Sequence, residues 1–170
     1  LVTGVQTCAL PISSEEYQSA LSLAFAEDHQ ILIERALHGT EISVGAYSHN
    51  GVPVIFTPTE IVSENAFFDL SAKYEGKAKE ITPARIDHDV AQEVQRLVQK
   101  IYTTLEMNGA CRADFIIEDG QPYFIELNST PGLSRESLIP QQAKYSGITL
   151  TEFFDRLIHE AINNHKTTHR

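Results

Sequence analysis

Apolar residues recur along the chain in two rhythms. Tyr17, Leu21, Ala24 and Phe25 follow helical spacing and predict a helix over residues 15–28. A longer stripe of Val90, Val94, Leu97, Val98, Ile101 and Leu105 predicts a second helix over residues 87–108, with Asp87 placed to cap it. Leu150, Phe153, Phe154, Leu157, Ile158 and Ala161 predict a third over residues 149–162. Elsewhere the period drops to two. Ile42, Val44 and Ala46 alternate through residues 41–47 and predict a strand, and Ile31 to Ile33 form a shorter strand-like run. Residues 52–61 contain Pro53 and Pro58, so they should form an edge strand or a broken ladder, because proline cannot donate to one. Residues 111–118 and 122–128 read as strands joined by a tight turn at Asp119-Gly120. Residues 63–83 are polar and aperiodic and predict a long loop, a type that usually serves as a lid or binding loop. Interspersed helices and a tight hairpin together predict an α+β fold, mainly an antiparallel sheet flanked by helices.

Composition narrows the partners. The 170 residues suit one domain, and 42% apolar with 21% charged residues argues against disorder. Thirteen basic against 23 acidic side chains leave a net charge of −10. That balance argues against nucleic-acid and anionic-membrane partners, which recruit basic surfaces. Phosphate ligands stay open, because a divalent cation can supply the missing positive charge. No run approaches the roughly 18 apolar residues of a membrane span.

The ends read differently from the middle. The chain opens on Leu1 rather than Met, which predicts a fragment. Residues 2–12, VTGVQTCALPI, are similar to an in-frame translation of a sequencing-library adapter, so residues 1–13 are set aside as an artefact. Cys8 goes with them. Cys111 alone cannot form an internal disulfide, which points to a reducing, cytoplasmic compartment. Residues 14–162 then carry the fold, and residues 163–170, NNHKTTHR, predict a disordered tail.

The chemistry concentrates in the hairpin. Residues two apart on a strand share a face, so Arg112 pairs in direction with Asp114, and Glu126 with Asn128. Hard oxygen donors of this kind suit Mg2+, and an adjacent arginine suits a phosphoryl group or an oxyanion. A solvated outer face of an ordinary hairpin would show the same alternation. The Ser129-Thr130-Pro131-Gly132 turn that follows favours the metal–phosphate reading, since it brings backbone N–H groups beside the acidic pair. Register provides a test. A plain two-residue turn would put Asp114 opposite Ile125 and turn Glu126 to the other face. The metal reading therefore requires a three-residue loop or a bulge that sets Asp114 opposite Glu126 and Arg112 opposite Asn128.

Four strings in order, LIERALHGTEISV (32–44), FFDLSAKY (67–74), RADF (112–115) and IELNSTPGLSRESLIP (125–140), resemble the D-alanine–D-alanine ligases of the ATP-grasp superfamily. The resemblance implies a C-terminal ATP-grasp subdomain that uses ATP and two Mg2+ ions, or Mn2+ in their place. It implies that Glu34, Arg35, Ala36 and Leu37 pair with adenine, and that Glu41 binds the ribose. Phe67 would cover the nucleotide, and Lys73 would reach the phosphate and the substrate carboxylate. Asp114, Glu126 and Asn128 would hold metal, with Glu126 bridging the two ions. Arg112 and the Gly132 amide would stabilise the oxyanion, and Ser137 with Leu138 would receive the carboxylate of the second D-alanine. Tyr74 goes with enzymes that form the dipeptide rather than the D-lactate ester. The parent enzyme would be a cytoplasmic homodimer in peptidoglycan precursor synthesis. The fragment would be inactive, because nothing in it matches the N-terminal domain or the first ATP-grasp subdomain. Alternatives are another ATP-grasp carboxylate–amine ligase and a non-catalytic nucleotide-binding module. In isolation, Glu41 and Lys73 would read as ordinary surface residues and Ser137 as a helix cap.

Overall fold

The computed structural model describes residues 13–63 and 78–168. The chain forms two compact units, Leu1–Ala36 and Leu37–Arg170. The first carries helix α1 (Ser14–Glu27), capped by Ser13, whose Oγ accepts from the Glu16 N–H at 3.3 Å. No residue of α1 is buried. The Ile31 to Ile33 run is irregular chain instead of the predicted strand, with Leu32 81% and Ile33 60% exposed. An extended segment becomes a strand only where a neighbour accepts its backbone hydrogen bonds, and this run has no strand beside it among the described residues of its unit.

The second unit is built on a fully antiparallel sheet of β1 (Thr40–His49), β2 (Val52–Ile55), β3 (Thr59–Ser63), β4 (Ala78–Ile81), β5 (Cys111–Glu118) and β6 (Gln121–Asn128). The order is β4-β3-β1-β5-β6, with β2 also on β1. One flank of β1 is taken by β5. The other is shared, with β3 opposite Glu41–Ser43 and β2 opposite Ala46–His49. The ladder breaks between them, where Phe56, Thr57 and Pro58 leave it, as the two prolines predict. Residues 63–83 are not loop throughout. Ser63 ends β3, and β4 runs back along it, pairing Glu60 with Ile81. The four polar-rich residues of β4 are too short to show an alternation of their own.

Among the described residues, three more helices cover the sheet. Helix α2 (His88–Thr104) begins after Asp87, which is extended but makes no side-chain cap bond. Helices α3 (Leu138–Tyr145) and α4 (Leu150–Thr168) follow β6. Helix α4 continues beyond Ile162, so residues 163–168 are helical and not the predicted disordered tail. The Asn164 side-chain amide donates to Asn108 Oδ1 at 3.0 Å, giving the extra turn a polar anchor.

Alternation along β1 and β5 sends side chains to two cores. Ile42, Val44, Ala46, Cys111, Ala113 and Phe115 pack against Val94, Val98 and Tyr102 of α2. Burial there pushes the Cys111 thiol up to about 11, leaving it protonated and inert. On the opposite face Tyr47 and Phe56 meet Ile139 and Ala143 of α3 and Phe153 of α4. The rest of this second face carries the polar Glu41, Ser43, Arg112 and Asp114, with Ile61 and Ile116 beside them.

Candidate functional site

The β5–β6 hairpin decides which side chains share that polar face. Asp119 and Gly120 form a two-residue turn with φ of 52° and 75°. Both positive values are what the tightest hairpin turn demands, and Gly120 meets them without a steric cost. Pairing is regular from Glu118↔Gln121 to Phe115↔Phe124, then shifts, so that Asp114 faces Glu126, Ala113 faces Leu127 and Arg112 faces Asn128. Ile125 is the extra residue. The hairpin thus combines the tight turn with the bulge that the metal reading requires.

Arg112, Asp114, Glu126 and Asn128 consequently lie together on one face. The Arg112 guanidinium grips Asp114 with Nε at 3.0 Å from Oδ1 and 3.1 Å from Oδ2, and Nη2 at 2.8 Å from Oδ2. Glu126 Oε1 lies 3.9 Å from Nη2. The first two side chains are only 17% and 13% exposed, against 37% for Glu126. Burial works against the charge of Arg112, but Asp114, Glu126 and Glu41 outweigh it and hold the guanidinium above its ordinary range.

Neighbouring strands extend the set. Ser43 of β1 stands opposite Asp114, and its hydroxyl donates to Asp114 Oδ1. Glu41 lies two residues away on the same face of β1. Glu80 of β4 accepts from Gln141 Nε2 at 2.8 Å; burial pushes its carboxyl above the usual range, while Gln141 and Arg112 pull it down. Past β6 the Asn128 Oδ1 accepts from the Thr130 N–H at 3.0 Å and so folds the next turn. That turn brings Gly132 against Ser137, so close that a Cβ on Gly132 would come 2.8 Å from Ser137 Oγ. Ser137 Oγ also lies 2.7 Å from Ser134 Oγ, and Ser137 immediately precedes α3, whose first residue is the buried Leu138.

Among the described residues no three His, Cys, Asp or Glu side chains gather as a metal cage. Two carboxylates and one amide share the face, and this hard, incomplete donor set fits Mg2+, whose remaining positions normally go to water and phosphate oxygens. Glu34, Arg35 and Ala36 are irregular chain in the first unit, and Leu37 opens the second. Phe67, Lys73 and Tyr74 lie outside the described residues.

Ser43, Glu80 and Gln142 were not singled out by the sequence. Ser43 had a signal, since it shares strand parity with Glu41. Gln142 had one as well, because it falls one turn after Leu138 on the same helix face.

The chain is similar to known proteins in sequence and in fold. Residues 4–159 match the family model described as D-ala D-ala ligase C-terminus, a span that opens inside the segment set aside above. The chain is 49% identical over 146 residues to the D-alanine–D-alanine ligase of Flavobacterium johnsoniae, a match covering 86% of this chain and 45% of that protein. It therefore spans about half the length of the curated relatives it matches. The solved VanG D-Ala:D-Ser ligase of Enterococcus faecalis is similar with a TM-score of 0.75 at 29% identity, covering 87% of this chain and 43% of its own. The D-alanine–D-alanine ligase of Coxiella burnetii shares the fold with a TM-score of 0.80 at 24% identity, covering 98% of this chain and 44% of its own.

Proposed function

This chain belongs to the D-ala D-ala ligase C-terminus family, and we propose that it is the catalytic half of an ATP- and Mg2+-dependent enzyme that joins two D-alanines. What supports this reading most is the bulged register, which gathers Arg112, Asp114, Glu126 and Asn128 on one sheet face. In the reaction the γ-phosphoryl group of ATP passes to a carboxylate oxygen of the first D-alanine, releasing ADP and leaving an acyl phosphate. The amine of the second D-alanine then attacks the carbonyl carbon. A C–N bond forms, the amine loses a proton, and phosphate departs from the tetrahedral intermediate.

Asp114, Glu126 and Asn128 would hold Mg2+, which supplies charge neutralisation for the transferring phosphoryl group. The Arg112 guanidinium and the Gly132 N–H stabilise the oxyanion of the intermediate. Ser137 and the start of α3 receive the carboxylate of the second amino acid, and the N-terminal end of a helix suits that charge. Glu41 takes the ribose hydroxyls, and residues 34–37 take adenine. Phe67, Lys73 and Tyr74 would close over the acyl phosphate, which water would otherwise hydrolyse. We assign the parent enzyme to peptidoglycan precursor synthesis in the cytoplasm, as a homodimer. No helix among the described residues is long and apolar enough to cross a membrane.

The test is ADP release by the full-length protein with D-alanine, D-serine or D-lactate offered as the nucleophile. D-alanine should be preferred, and Asp114→Asn should lower kcat/KM by about a hundredfold or more, the scale of one lost transition-state contact. The 170-residue chain alone should release no ADP in response to D-alanine. Turnover by the full-length protein with some other amine, and none with D-alanine, would transfer it to a different carboxylate–amine ligase.

A further inference from the structure

We infer that Ser43 is a positioning residue for Asp114, its hydroxyl fixing the orientation in which that carboxylate meets a divalent cation. The inference rests on the reading of Asp114 as a metal ligand. Two donors hold Asp114, and they differ in what else they do. Arg112 spans both carboxylate oxygens through Nε and Nη2. In the proposed reaction the same guanidinium serves the oxyanion, so N–H groups turned to that task are lost to Asp114. Ser43 has no second task. It is 4% exposed, it stands opposite Asp114 in the β1–β5 ladder, and its hydroxyl donates to Oδ1 alone.

The strand beneath that hydroxyl is clamped. Gln142, with no exposure to solvent, donates from Nε2 to the Ser43 carbonyl at 3.0 Å and to Thr59 Oγ1 at 2.9 Å. Its Oε1 accepts from the Gly45 N–H at 2.8 Å. These bonds fill the gap that the β2–β3 break leaves along β1, so Ser43 is fixed by β5 on one side and by the end of β3 together with α3 on the other. A static donor on one oxygen sets the plane of the carboxylate and leaves the other oxygen to a cation once Arg112 turns away. Outer-shell donors of this kind orient metal-binding groups, and losing one typically weakens metal binding about 10- to 100-fold.

Mn2+ alone, titrated into the full-length protein with the free ion read by electron paramagnetic resonance, tests this. Ser43→Ala should weaken Mn2+ binding about tenfold, and Ser43→Thr, which keeps the hydroxyl, should stay within about twofold of the natural protein. The thermal unfolding midpoints of both should stay near the natural value, whereas a merely structural role would move the midpoint and leave the Mn2+ affinity alone. Asp114→Asn is the reference. Natural affinity in Ser43→Ala beside lost affinity in Asp114→Asn overturns the role of Ser43 and spares the ligand assignment. Unchanged affinity in Asp114→Asn overturns both. Ser43→Thr binding as weakly as Ser43→Ala also counts against the hydroxyl.

Discussion

Gln142 makes three hydrogen bonds from a site closed to solvent. An amide belongs there because it answers one backbone donor and one backbone acceptor of β1. Between β2 and β3 the Gly45 N–H and the Ser43 carbonyl point at α3 instead of at another ladder. Leucine in that place would match the volume but leave the buried N–H unpaired. Gln142→Leu should therefore cost about 2–4 kcal/mol, since each buried group left unsatisfied costs about 1–3. Thr59→Val removes one of those three bonds and also the 2.6 Å bond to Thr82 Oγ1, and should cost about 1–2 kcal/mol. Urea unfolding at neutral pH measures both, and equal midpoints for the two variants would remove the special place given to Gln142. At this scale the sequence was informative in a particular way. Arg112, Asp114, Glu126 and Asn128 could be grouped because strand parity and a short linking turn constrain them together. Ser43 and Gln142 carried only the weaker signal of sharing a face with Glu41 and Leu138, because their importance comes from contacts about seventy and a hundred residues away in the chain. Gln141, beside Gln142, is exposed, and residue type alone does not separate the two.

Elements translate those residues into a face, and the β6 bulge is where the translation is most exposed to test. Ile125 is the residue without a partner, whereas Leu127 sits opposite Ala113 with its side chain on the α2 side of the sheet. Deleting Ile125 gives a regular two-residue hairpin in which Glu126 still faces Asp114 and Asn128 still faces Arg112. Deleting Leu127 shifts Asn128 opposite Ala113 and turns it toward the core, because side chains alternate with a period of two. The two deletions are two positions apart and should behave oppositely. Mn2+ binding by the full-length protein should stay within about tenfold without Ile125 and should be lost without Leu127, an effect of the size seen when a metal site loses a supporting group. Equal loss in both would mean that the bend introduced by the bulge matters more than the facing it sets. The same scale explains which elements the sequence concealed. Helices α1, α2 and α4, strand β1 and the hairpin announce themselves by periodicity. Helix α3 has only eight residues, with Pro140 in its first turn, and β4 has four, so neither is long enough to establish a period. The Ile31 to Ile33 run shows the reverse failure, an apolar signature without the neighbour that would make it a strand.

At the level of the whole chain the two units differ in what holds each of them. The second has two cores, one between the sheet and α2 and one under α3 and α4. The described residues of the first form none: α1 buries no residue, and Leu23, Phe25, Leu32 and Ile33 are 62%, 54%, 81% and 60% exposed. A helix of 14 residues is marginal in water without tertiary packing, because nucleation is costly and propagation repays it slowly. Its Ser13 cap contributes about 1 kcal/mol, too little to change that. Local opening free energies follow buried contacts. Hydrogen exchange read by mass spectrometry on the 170-residue chain should therefore find the α1 amides exchanging almost as fast as in a free peptide. The amides of β1 and β5 should exchange slowest, since both strands lie inside the sheet and feed the α2 core. Exposed apolar side chains in the first unit should also draw chains together as concentration rises, although the net charge of −10 opposes it. Raising ionic strength screens that repulsion and should promote the association. Protection of α1 that grows with protein concentration would identify these side chains as the contact, whereas strong protection in dilute solution would mean that the helix has a buried face the exposure values do not reveal.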